Sequence, residues 1–290
     1  MQRVQVGNSL GSIYGFRYKG VYNYGYDWLL NERTDKKWTD EQFEAEINSM
    51  LASGKTLPVA VGKDGKVIMQ SDGRPQRMVY NYDSEQGTKT YEFQGGDAMY
   101  EDINHDGQIN NLDIVYLGNS LPKISGGFNL GFTYGQWNLK ARFMFRAGNK
   151  VVNLARMNLE SMSSAYNQCA TVNHRWRTDG NGVTETVLPR AMYVSGDNSA
   201  YNFQGSDRYV EDGSFLRFQN LQIGYNFEKK RLKSLGLNEL KFYVTVNNLF
   251  CWTKYSGVDP EISTSGWGPA FDDSQTPRSR SFTANINIGF

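Results

Sequence analysis

The sequence predicts an all-β fold whose antiparallel strands cross a membrane as a segment of a β-barrel. Three observations predict this fold. Several segments alternate apolar and polar side chains, so each strand has one apolar face and one polar face. Each of these segments is about ten residues long, the length that a tilted strand needs to cross a bilayer. The connections alternate between short turns and long loops, as they do in outer-membrane barrels.

The composition excludes several classes of protein. The chain has 290 residues, with 31 Lys and Arg against 30 Asp and Glu, so its charge gives no footprint for nucleic acid. Aromatic residues make up 14% of the chain, which argues against disorder because disordered segments are poor in aromatics. No apolar run is long enough for a transmembrane helix. The residues after Met1 have no signal-peptide segment, so an exported protein would have its true N-terminus elsewhere.

The N-terminal half is predicted to contain short elements. Residues 13–24 are rich in Tyr and Gly and are predicted to be extended. Thr39 and Gln42 have the spacing of a capping box, and the apolar residues that follow at helical spacing predict an amphipathic helix that ends at Gly54. The segments 77–82 and 88–93, on either side of a turn at 84–87, predict a hairpin.

The C-terminal half contains the clearest strands and a second helix. The strands are predicted over residues 128–134, 139–147, 221–227, 240–246 and 282–290. Gly135 and Gln136 form a tight turn, whereas 148–213 and 251–279 are long connections, the first with a helix predicted over 151–162. Because outer-membrane barrels have short periplasmic turns and long extracellular loops, the last strand is predicted to run towards the periplasm.

The two faces of these strands predict which residues meet water and which meet lipid. The charged and polar side chains are predicted to face a water-filled lumen: Lys140, Arg142, Arg146, Lys241 and Asn285. Contact with lipid is predicted for Phe143, Phe145, Val244 and Ile286. Aromatic residues near the strand ends predict the two interfacial girdles of a membrane barrel, with Tyr134, Trp137, Phe227 and Phe290 at one interface and Phe250 and Trp252 at the other.

One strand departs from this pattern. Arg217 and Gln219 are in phase with the apolar residues that begin at Leu221. Either both lie above the hydrocarbon band, or a β-bulge shifts the phase of the strand. Alternation alone also fits a soluble β-sandwich with its apolar faces turned inward. The strand length, the charged polar face and the loop lengths favour the membrane barrel.

The strongest local motif is a calcium-type loop over residues 102–113. It fits the pattern D-x-N-x-D-G-x-I-x-x-x-D, in which Gly107 permits the sharp turn. Oxygen ligands are predicted from the side chains of Asp102, Asn104, Asp106 and Asp113 and from the backbone carbonyl of Gln108. The twelfth position is Asp113 rather than Glu, so its bidentate reach is shorter. The alternative is an Asx-rich turn that binds no metal.

The remaining candidates predict no catalysis. His105 occupies a non-ligand position of the loop and His174 lies in a long connection, so neither predicts a zinc site or a Ser/His/Asp triad. Asp272 and Asp273 are predicted to lie in a solvated loop. Cys169 and Cys251 form no disulfide framework. Aromatic loop residues fit either loop packing or stacking on sugars and peptides: Tyr22, Tyr24, Tyr26, Trp28, Tyr201, Trp252 and Trp267. The chain is therefore predicted not to be an enzyme.

An ordered set of motifs resembles the C-terminal barrel portion of SusC/RagA-type TonB-dependent outer-membrane transporters. After the calcium-type loop come Leu117-Gly118-Asn119 and Gly126-Gly127-Phe128-Asn129-Leu130. Ser206-Asp207-Arg208-Tyr209-Val210-Glu211-Asp212-Gly213 follows, and then Asn247-Asn248-Leu249-Phe250. Asp259-Pro260-Glu261 and Pro277-Arg278 precede the last strand. The resemblance covers nearly the whole chain and is weakest over 34–91.

The resemblance implies uptake of nutrients across the outer membrane. Such transporters are 22-stranded barrels with an N-terminal plug, and a SusD-like surface lipoprotein acts as their lid. They import oligosaccharides or peptides and are energised by TonB. The chain departs from the family because the TonB-contact segment, the plug and most of the barrel are not represented, which predicts a fragment or one chain of a split transporter. Its partners would be the remaining transporter, the lipoprotein, membrane lipid and, indirectly, TonB.

Two regions are therefore predicted. Residues 1–123 would hold early barrel strands and an extracellular insertion with the calcium-type loop, and residues 124–290 the transmembrane strands with long extracellular loops that contain short helices. So few strands cannot enclose a lumen of porin scale, so an open sheet with an unpaired edge at 282–290 is predicted. The rival function is a secreted, calcium-dependent, carbohydrate-binding β-sandwich, which would be soluble without detergent.

Overall fold

A computed structural model describes residues 7, 9–84, 87–163, 165–177, 188–192, 201–262 and 268–290. Two compact units are present. The first consists mainly of Tyr14–Leu117 and Ala155–Tyr209, and the second mainly of Gly118–Leu154 and Val210–Phe290. In the described part of the chain, no helix is both long and apolar enough to cross a membrane. The division of the chain at residue 124 stays a prediction.

Strand is the predominant regular secondary structure of the described residues, which confirms the predicted all-β class. The strands are β1 (Ser12–Gly15), β2 (Tyr18–Val21), β3 (Val79–Ser84), β4 (Gly87–Glu92), β5 (Ala98–Tyr100), β6 (Gln108–Ile109), β7 (Val115–Asn119), β8 (Ile124–Tyr134), β9 (Trp137–Ala147), β10 (Lys150–Asn153), β11 (Val210–Asp212), β12 (Phe215–Asn226), β13 (Glu239–Thr253), β14 (Phe271–Asp272) and β15 (Ser281–Gly289). The α-helices are α1 (Tyr26–Lys36), α2 (Asp40–Ala52), α3 (Leu154–Glu160) and α4 (Lys229–Leu232).

The first unit contains the predicted capped helix. The Thr39 hydroxyl accepts a hydrogen bond from the Gln42 backbone N–H, and the Gln42 side chain accepts one from the Thr39 backbone N–H. This capping box starts α2, whose Phe43 and Ile47 pack with Leu29 of α1 in one buried cluster. Helix α1 was not predicted, because the aromatic residues at its start were assigned to a loop.

The hairpin of the first unit is also confirmed. Strands β3 and β4 pair antiparallel, and β6 adds to β3 in parallel, with Val79 opposite Gln108. Residues 85 and 86 of the predicted turn lie outside the described residues. Because β6 begins inside the calcium-type loop, this pairing fixes the loop to the hairpin.

The predicted helix over 151–162 is only partly correct. Its first residues form β10, and the helix is limited to α3. Val151 and Val152 are completely buried and pair with Glu211 and Val210 of β11. β-Branched side chains fit a pleated, buried surface better than a helix, which explains the strand.

The second unit is built on a five-stranded antiparallel sheet in the order β15-β13-β12-β9-β8. All five predicted strands are present and each extends to between nine and fifteen residues. Among the described residues β15 pairs with β13 alone, so its other edge is open, as predicted.

A β-bulge resolves the irregular strand. Phe218 pairs with Phe143 and Asn220 pairs with Arg142, so Gln219 is an extra residue in β12 relative to β9. On the other side, two residues of β13 oppose Gln219, and Asn248 takes a positive φ of 52° there. The bulge shifts the phase by one residue, which moves Arg217 to the polar face.

Candidate functional site

The five-stranded sheet separates apolar and polar side chains completely in its central rows. Directly opposed residues of antiparallel strands share a face, so the register assigns each row to one side. From β8 to β15, the apolar rows are Leu130, Ala141, Leu221, Val246 and Phe282, and then Phe132, Leu139, Ile223, Val244 and Ala284. The polar rows are Asn129, Arg142, Asn220, Asn247 and Ser281, and then Gly131, Lys140, Gln222, Thr245 and Thr283.

Side chains on the polar face are linked across the strands. The Arg142 Nε donates to Asn129 Oδ1 at 3.1 Å, and Asn220 Nδ2 donates to Asn247 Oδ1 at 2.8 Å. Asn247 Nδ2 then donates to Ser281 Oγ at 3.0 Å. Each predicted lumen residue lies on this face, including Arg146, Lys241 and Asn285. The face is therefore a hydrogen-bonded surface suited to contact with water.

The apolar face carries exposed rings and branched side chains. Phe143 stacks on Phe128 and Phe218, with ring centroids 4.8 and 4.5 Å apart. The residues predicted to contact lipid share this face, and Val244 and Ile286 are exposed. The residues predicted to form the two girdles are also exposed: Tyr134, Trp137, Phe227, Phe290, Phe250 and Trp252. A surface of this kind is stable only against an apolar partner or lipid.

A buried ion network lies at the upper end of β12. The Arg217 guanidinium, 5% exposed, donates to Asp259 Oδ1 at 2.5 Å, and its Nε lies 3.2 Å from Glu261 Oε2. Arg278 binds the other oxygen of Glu261 at 2.7 Å. Sequence reasoning found Arg217 as an irregularity but not its partners, because 42 residues separate Arg217 from Asp259. The network joins residues near the two ends of the connection between β13 and β15, namely Asp259, Glu261 and Arg278, to β12.

The calcium-type loop folds tightly around its first aspartate. Asp102 Oδ1 accepts hydrogen bonds from the His105 and Asp106 backbone N–H groups, and its Oδ2 accepts one from Gly107. Gly107 has a φ of +80°, and a Cβ there would lie 2.8 Å from the Cβ of the buried Ala60. Glycine is therefore required at this position for both backbone conformation and space.

The loop is closed by Asp113, which is completely buried. Its two carboxylate oxygens accept hydrogen bonds from the Ile103 and Asn110 backbone N–H groups, both at 2.9 Å. Burial raises the pKa of the Asp113 carboxyl above its usual value, and the nearby charges of Asp102 and Asp106 add to this effect although both N–H groups oppose it. The three aspartates of the loop are therefore close enough to influence one another electrostatically.

The calcium-type loop offers several side-chain oxygen atoms. Asp102, Asp106 and Asp113 form no ion pair with a Lys or Arg of the described residues, and oxygen is the ligand that calcium prefers. Asn104 Oδ1 accepts only the Asp106 backbone N–H at 3.1 Å and so retains a lone pair. In the described part of the chain, no three His, Cys, Asp or Glu side chains converge on one metal-sized point. Gln108 pairs through β6 with Val79, and its side chain accepts from Asn81.

The other candidates are dispersed. His105 and His174 are exposed, and Cys169 and Cys251 are free thiols. The solvated-loop prediction is wrong for Asp272, which is buried in β14 and accepts a hydrogen bond from the Tyr255 hydroxyl at 2.5 Å. Burial, together with Asp272, raises the pKa of Tyr255 above its usual value.

The aromatic candidates pack within the protein or lie on the apolar face. Tyr22 and Tyr201 are buried, and Tyr26 and Trp28 lie in α1. Tyr24 packs on Trp28, with ring centroids 4.8 Å apart, whereas Trp252 lies on the exposed apolar face of β13. Trp267 lies outside the described residues.

One buried charge cluster in the first unit has no sequence signal. Glu160, 1% exposed, accepts from Arg156 Nε at 3.0 Å and from Arg208 Nη2 at 2.8 Å. The Arg208 guanidinium also lies over the rings of Tyr18 and Tyr209. Glu160 and Arg208 are 48 residues apart in the sequence.

The chain is similar to known transport proteins over most of its length. It is 27% identical to the TonB-dependent receptor P3 of Formosa agariphila, and the match covers 92% of this chain and 28% of that receptor. It is 32% identical to the TonB-dependent receptor SusC of Bacteroides thetaiotaomicron over 29% of this chain and 8% of SusC. A solved structure of the RagAB peptide transporter matches with a TM-score of 0.56 and 19% identity, over 96% of this chain and 23% of that one. No family model matches.

These similarities confirm the resemblance to SusC/RagA-type TonB-dependent receptors and the barrel-segment fold. The chain spans between 24% and 28% of the length of the curated receptors that match most of it. Such receptors are outer-membrane proteins, which places this chain in the outer membrane. The relatives are transporters and receptors rather than enzymes.

Proposed function

We propose that this chain, similar to part of a SusC/RagA-type receptor, is one section of an outer-membrane active transporter. The complete transporter would import oligosaccharides or peptides, take energy from TonB through a plug supplied by another part of the assembly, and work with a SusD-like lipoprotein. The chain would itself catalyse no reaction. The observation that carries the proposal is the sheet whose two faces are separated into apolar and polar rows.

The two faces divide the work of such a transporter. The apolar rows would contact lipid, where every backbone N–H and C=O must find a partner, and the strand ladder supplies these partners. The polar rows would line the lumen, where the amide and hydroxyl groups of Asn220, Asn247 and Ser281 offer donors and acceptors to a hydrated cargo. Many weak contacts of this kind let a polar cargo bind and leave again.

The loops supply the part exposed to the cell exterior. The network of Arg217, Asp259 and Glu261 fixes the first residues of one long connection to β12, next to the part of the protein that a partner would approach. The partner that the resemblance leads us to propose is a SusD-like lipoprotein. The solved relative is named a peptide transporter, which supports peptides as one of the two cargo classes.

The test is isolation of the transporter that contains this chain from outer membranes in mild detergent. We expect a SusD-like lipoprotein to copurify, and cells that carry the transporter to take up a labelled oligosaccharide or peptide only when TonB is present. A control strain with the plug deleted should assemble the barrel but lose TonB-dependent uptake. A protein that is soluble without detergent and binds sugars would instead identify the calcium-dependent β-sandwich.

We also propose that the loop over residues 102–113 binds one Ca²⁺ through Asp102, Asn104, Asp106, Asp113 and the Gln108 carbonyl. Three carboxylates without a cationic partner support the proposal. Calcium would neutralise their mutual repulsion and hold β6 against β3. The affinity is expected to be modest, because the twelfth residue is Asp rather than the longer Glu.

Isothermal titration of the intact protein with CaCl₂ tests this site. Asp106→Ala should abolish the binding heat, whereas Asp64→Asn, which alters an exposed Asx turn elsewhere in the same unit, should leave it unchanged. Absence of binding to the folded protein would identify the loop as an Asx-rich turn.

A further inference from the structure

The cations on the polar face of the sheet fall into two groups. Arg217 is paired with Asp259 and Glu261, and Lys241 forms an ion pair with Glu239. In contrast, Lys140, Arg142 and Arg146 form no ion pair with any carboxylate of the described residues. All three lie on β9, so the unpaired positive charge is concentrated along one strand.

The hydrogen-bonding capacity of these cations is largely unused. Arg142 donates only through Nε to Asn129, and its two Nη groups have no partner among the described residues. Arg146 lies with its guanidinium 5.9 Å from the ring centre of Phe215. Lys140 Nζ has no acceptor in the described part of the chain. The planar fork of a guanidinium matches a carboxylate through two parallel hydrogen bonds.

A depression in the face lies beside these groups. A cavity of about 380 Å³ is lined on the polar side by Asn129, Gly131, Lys140, Arg142 and Asn220, with two apolar neighbours from β8 and β9. Gly131 pairs with Lys140 and has open space where a Cβ would stand. The missing side chain leaves room for a small anionic group beside Lys140.

We infer that Lys140 and Arg142, extended by Arg146, form a binding site for carboxylate groups of the transported oligomer. The inference rests on the proposed transport function and adds that the cargo is anionic. Residues two apart on a strand lie about 6.7 Å apart, so neighbouring carboxylates of one oligomer, or the two oxygens of one carboxylate, reach both cations. A glycan with uronic acids and a peptide with acidic side chains share this chemistry.

The first experiment measures whether the charges stay unpaired in the complete transporter. With Cys169→Ser and Cys251→Ser as background, Gln222→Cys reports beside Lys140, its partner in the register. Thr283→Cys lies two strands further along the same row and serves as the matched control. We expect an anionic thiosulfonate reagent to label position 222 faster than a cationic one, and no such preference at position 283.

Removing one charge should change this preference by a calculable amount. For a unit charge about 7 Å away in water, each reagent's rate changes about threefold and their ratio about sevenfold at low salt. Lys140→Gln and Arg142→Gln should each lower the ratio to this extent, whereas Arg142→Lys should retain it. Equal labelling by both reagents at position 222 would overturn the inference, since another part of the transporter would then neutralise the cations.

The second experiment identifies the ligand by protection from a neutral thiol reagent. Trigalacturonate is compared with maltotriose, and triglutamate with triglutamine. The inference is supported if the neutral reagent labels position 222 more slowly in the presence of an acidic oligomer but not of its neutral counterpart. Protection by trigalacturonate identifies a glycan as the source of the carboxylate, and protection by triglutamate identifies a peptide. Equal protection by neutral oligomers, or protection by none, overturns it. Barrel assembly and TonB-dependent uptake are followed in the same cells for the transporter with its natural sequence, because an assembled barrel that takes up neither acidic nor neutral oligomers would refute the transport function itself.

Discussion

Replacing Val244 by Arg tests which face of the sheet meets lipid. Val244 is in the apolar row of β13 between Ile223 and Ala284, and it is flanked by paired strands on both sides. Strand β13 has 15 residues, and Val244 lies two residues from its centre at Val246. With a rise of about 3.3 Å per residue and a tilt of about 40°, this displacement is about 5 Å along the membrane normal, well inside the hydrocarbon band.

An Arg on the lipid face near the bilayer midplane costs about 2–4 kcal/mol. Because about 1.4 kcal/mol corresponds to a factor of ten in an equilibrium constant, the ratio of assembled to unassembled barrel should fall by about 30- to 700-fold. Thr245→Arg is the matched control, since Thr245 is adjacent but lies in the polar row with Gln222 and Thr283. It should be tolerated, because the new charge would meet water.

The assay is the yield of heat-modifiable, protease-protected barrel in outer membranes that carry the complete transporter. We expect a strong loss for Val244→Arg and nearly normal assembly for Thr245→Arg. Ile286 is a less suitable position for this test, because it shares a row with Tyr225 and Phe242, close to the predicted girdle. Equal tolerance of both variants, or greater harm from Thr245→Arg, would show that the assignment of the two faces is inverted.

Three further substitutions test contacts that hold the loops and helices. Arg217→Met removes the cation that Asp259 and Glu261 share, and it should lower the folding stability by about 3–5 kcal/mol. Protease should then cleave the connection between β13 and β15 more readily. Arg231→Met, at an exposed ion pair, is the control and should leave cleavage unchanged. Thr39→Ala removes the capping box and should lower the stability of the first turn of α2 by about 1 kcal/mol, so its backbone amide hydrogens should exchange with solvent about fivefold faster. Thr39→Ser, which retains the cap, is the control. Glu160→Gln leaves the buried Arg208 charge without its carboxylate partner and should strongly accelerate hydrogen exchange of the backbone amides of α3. Asp35→Asn, at an exposed position, is the control and should not. Unchanged exchange in Glu160→Gln would show that the buried pair contributes nothing to the stability of α3.

The strands of the sheet could be predicted because each carries its signal locally. Alternation along β8, β9 and β13 states which side of the sheet each residue occupies, and nothing distant is needed to read it. Helix α2 could be predicted for the same reason, because Thr39 and Gln42 are its own capping residues. Even the bulge was signalled, since Arg217 and Gln219 broke the phase of their own strand.

Elements that depend on distant partners could not be predicted. Helix α1 begins after Gly25, which provides no side-chain cap, and it buries only Leu29 completely, so its sequence has little helical signature. Strand β10 was mistaken for helix because its pairing partner β11 lies far along the chain. Asp272 was expected in solvent, and only its contact with Tyr255 shows why it is buried.

Gln219 does not take part in the alternation of faces along β12, so each half of the strand alternates correctly by itself. Deleting Gln219 would remove the extra residue and give a continuous ladder with β9, in which Phe218 still pairs with Phe143, Asn220 still pairs with Arg142 and both halves keep their faces. Deleting Leu221 while the bulge is kept would instead exchange the faces of every residue between the deletion and Phe215, so Arg217 would turn outward, away from Asp259. An insertion or deletion in a barrel strand is therefore tolerated only as a pair, or at a bulge that absorbs it. Through such events the half of β12 that contains Arg217 can change in length, while the residues from Asn220 to Asn226 keep their assignment to the two faces.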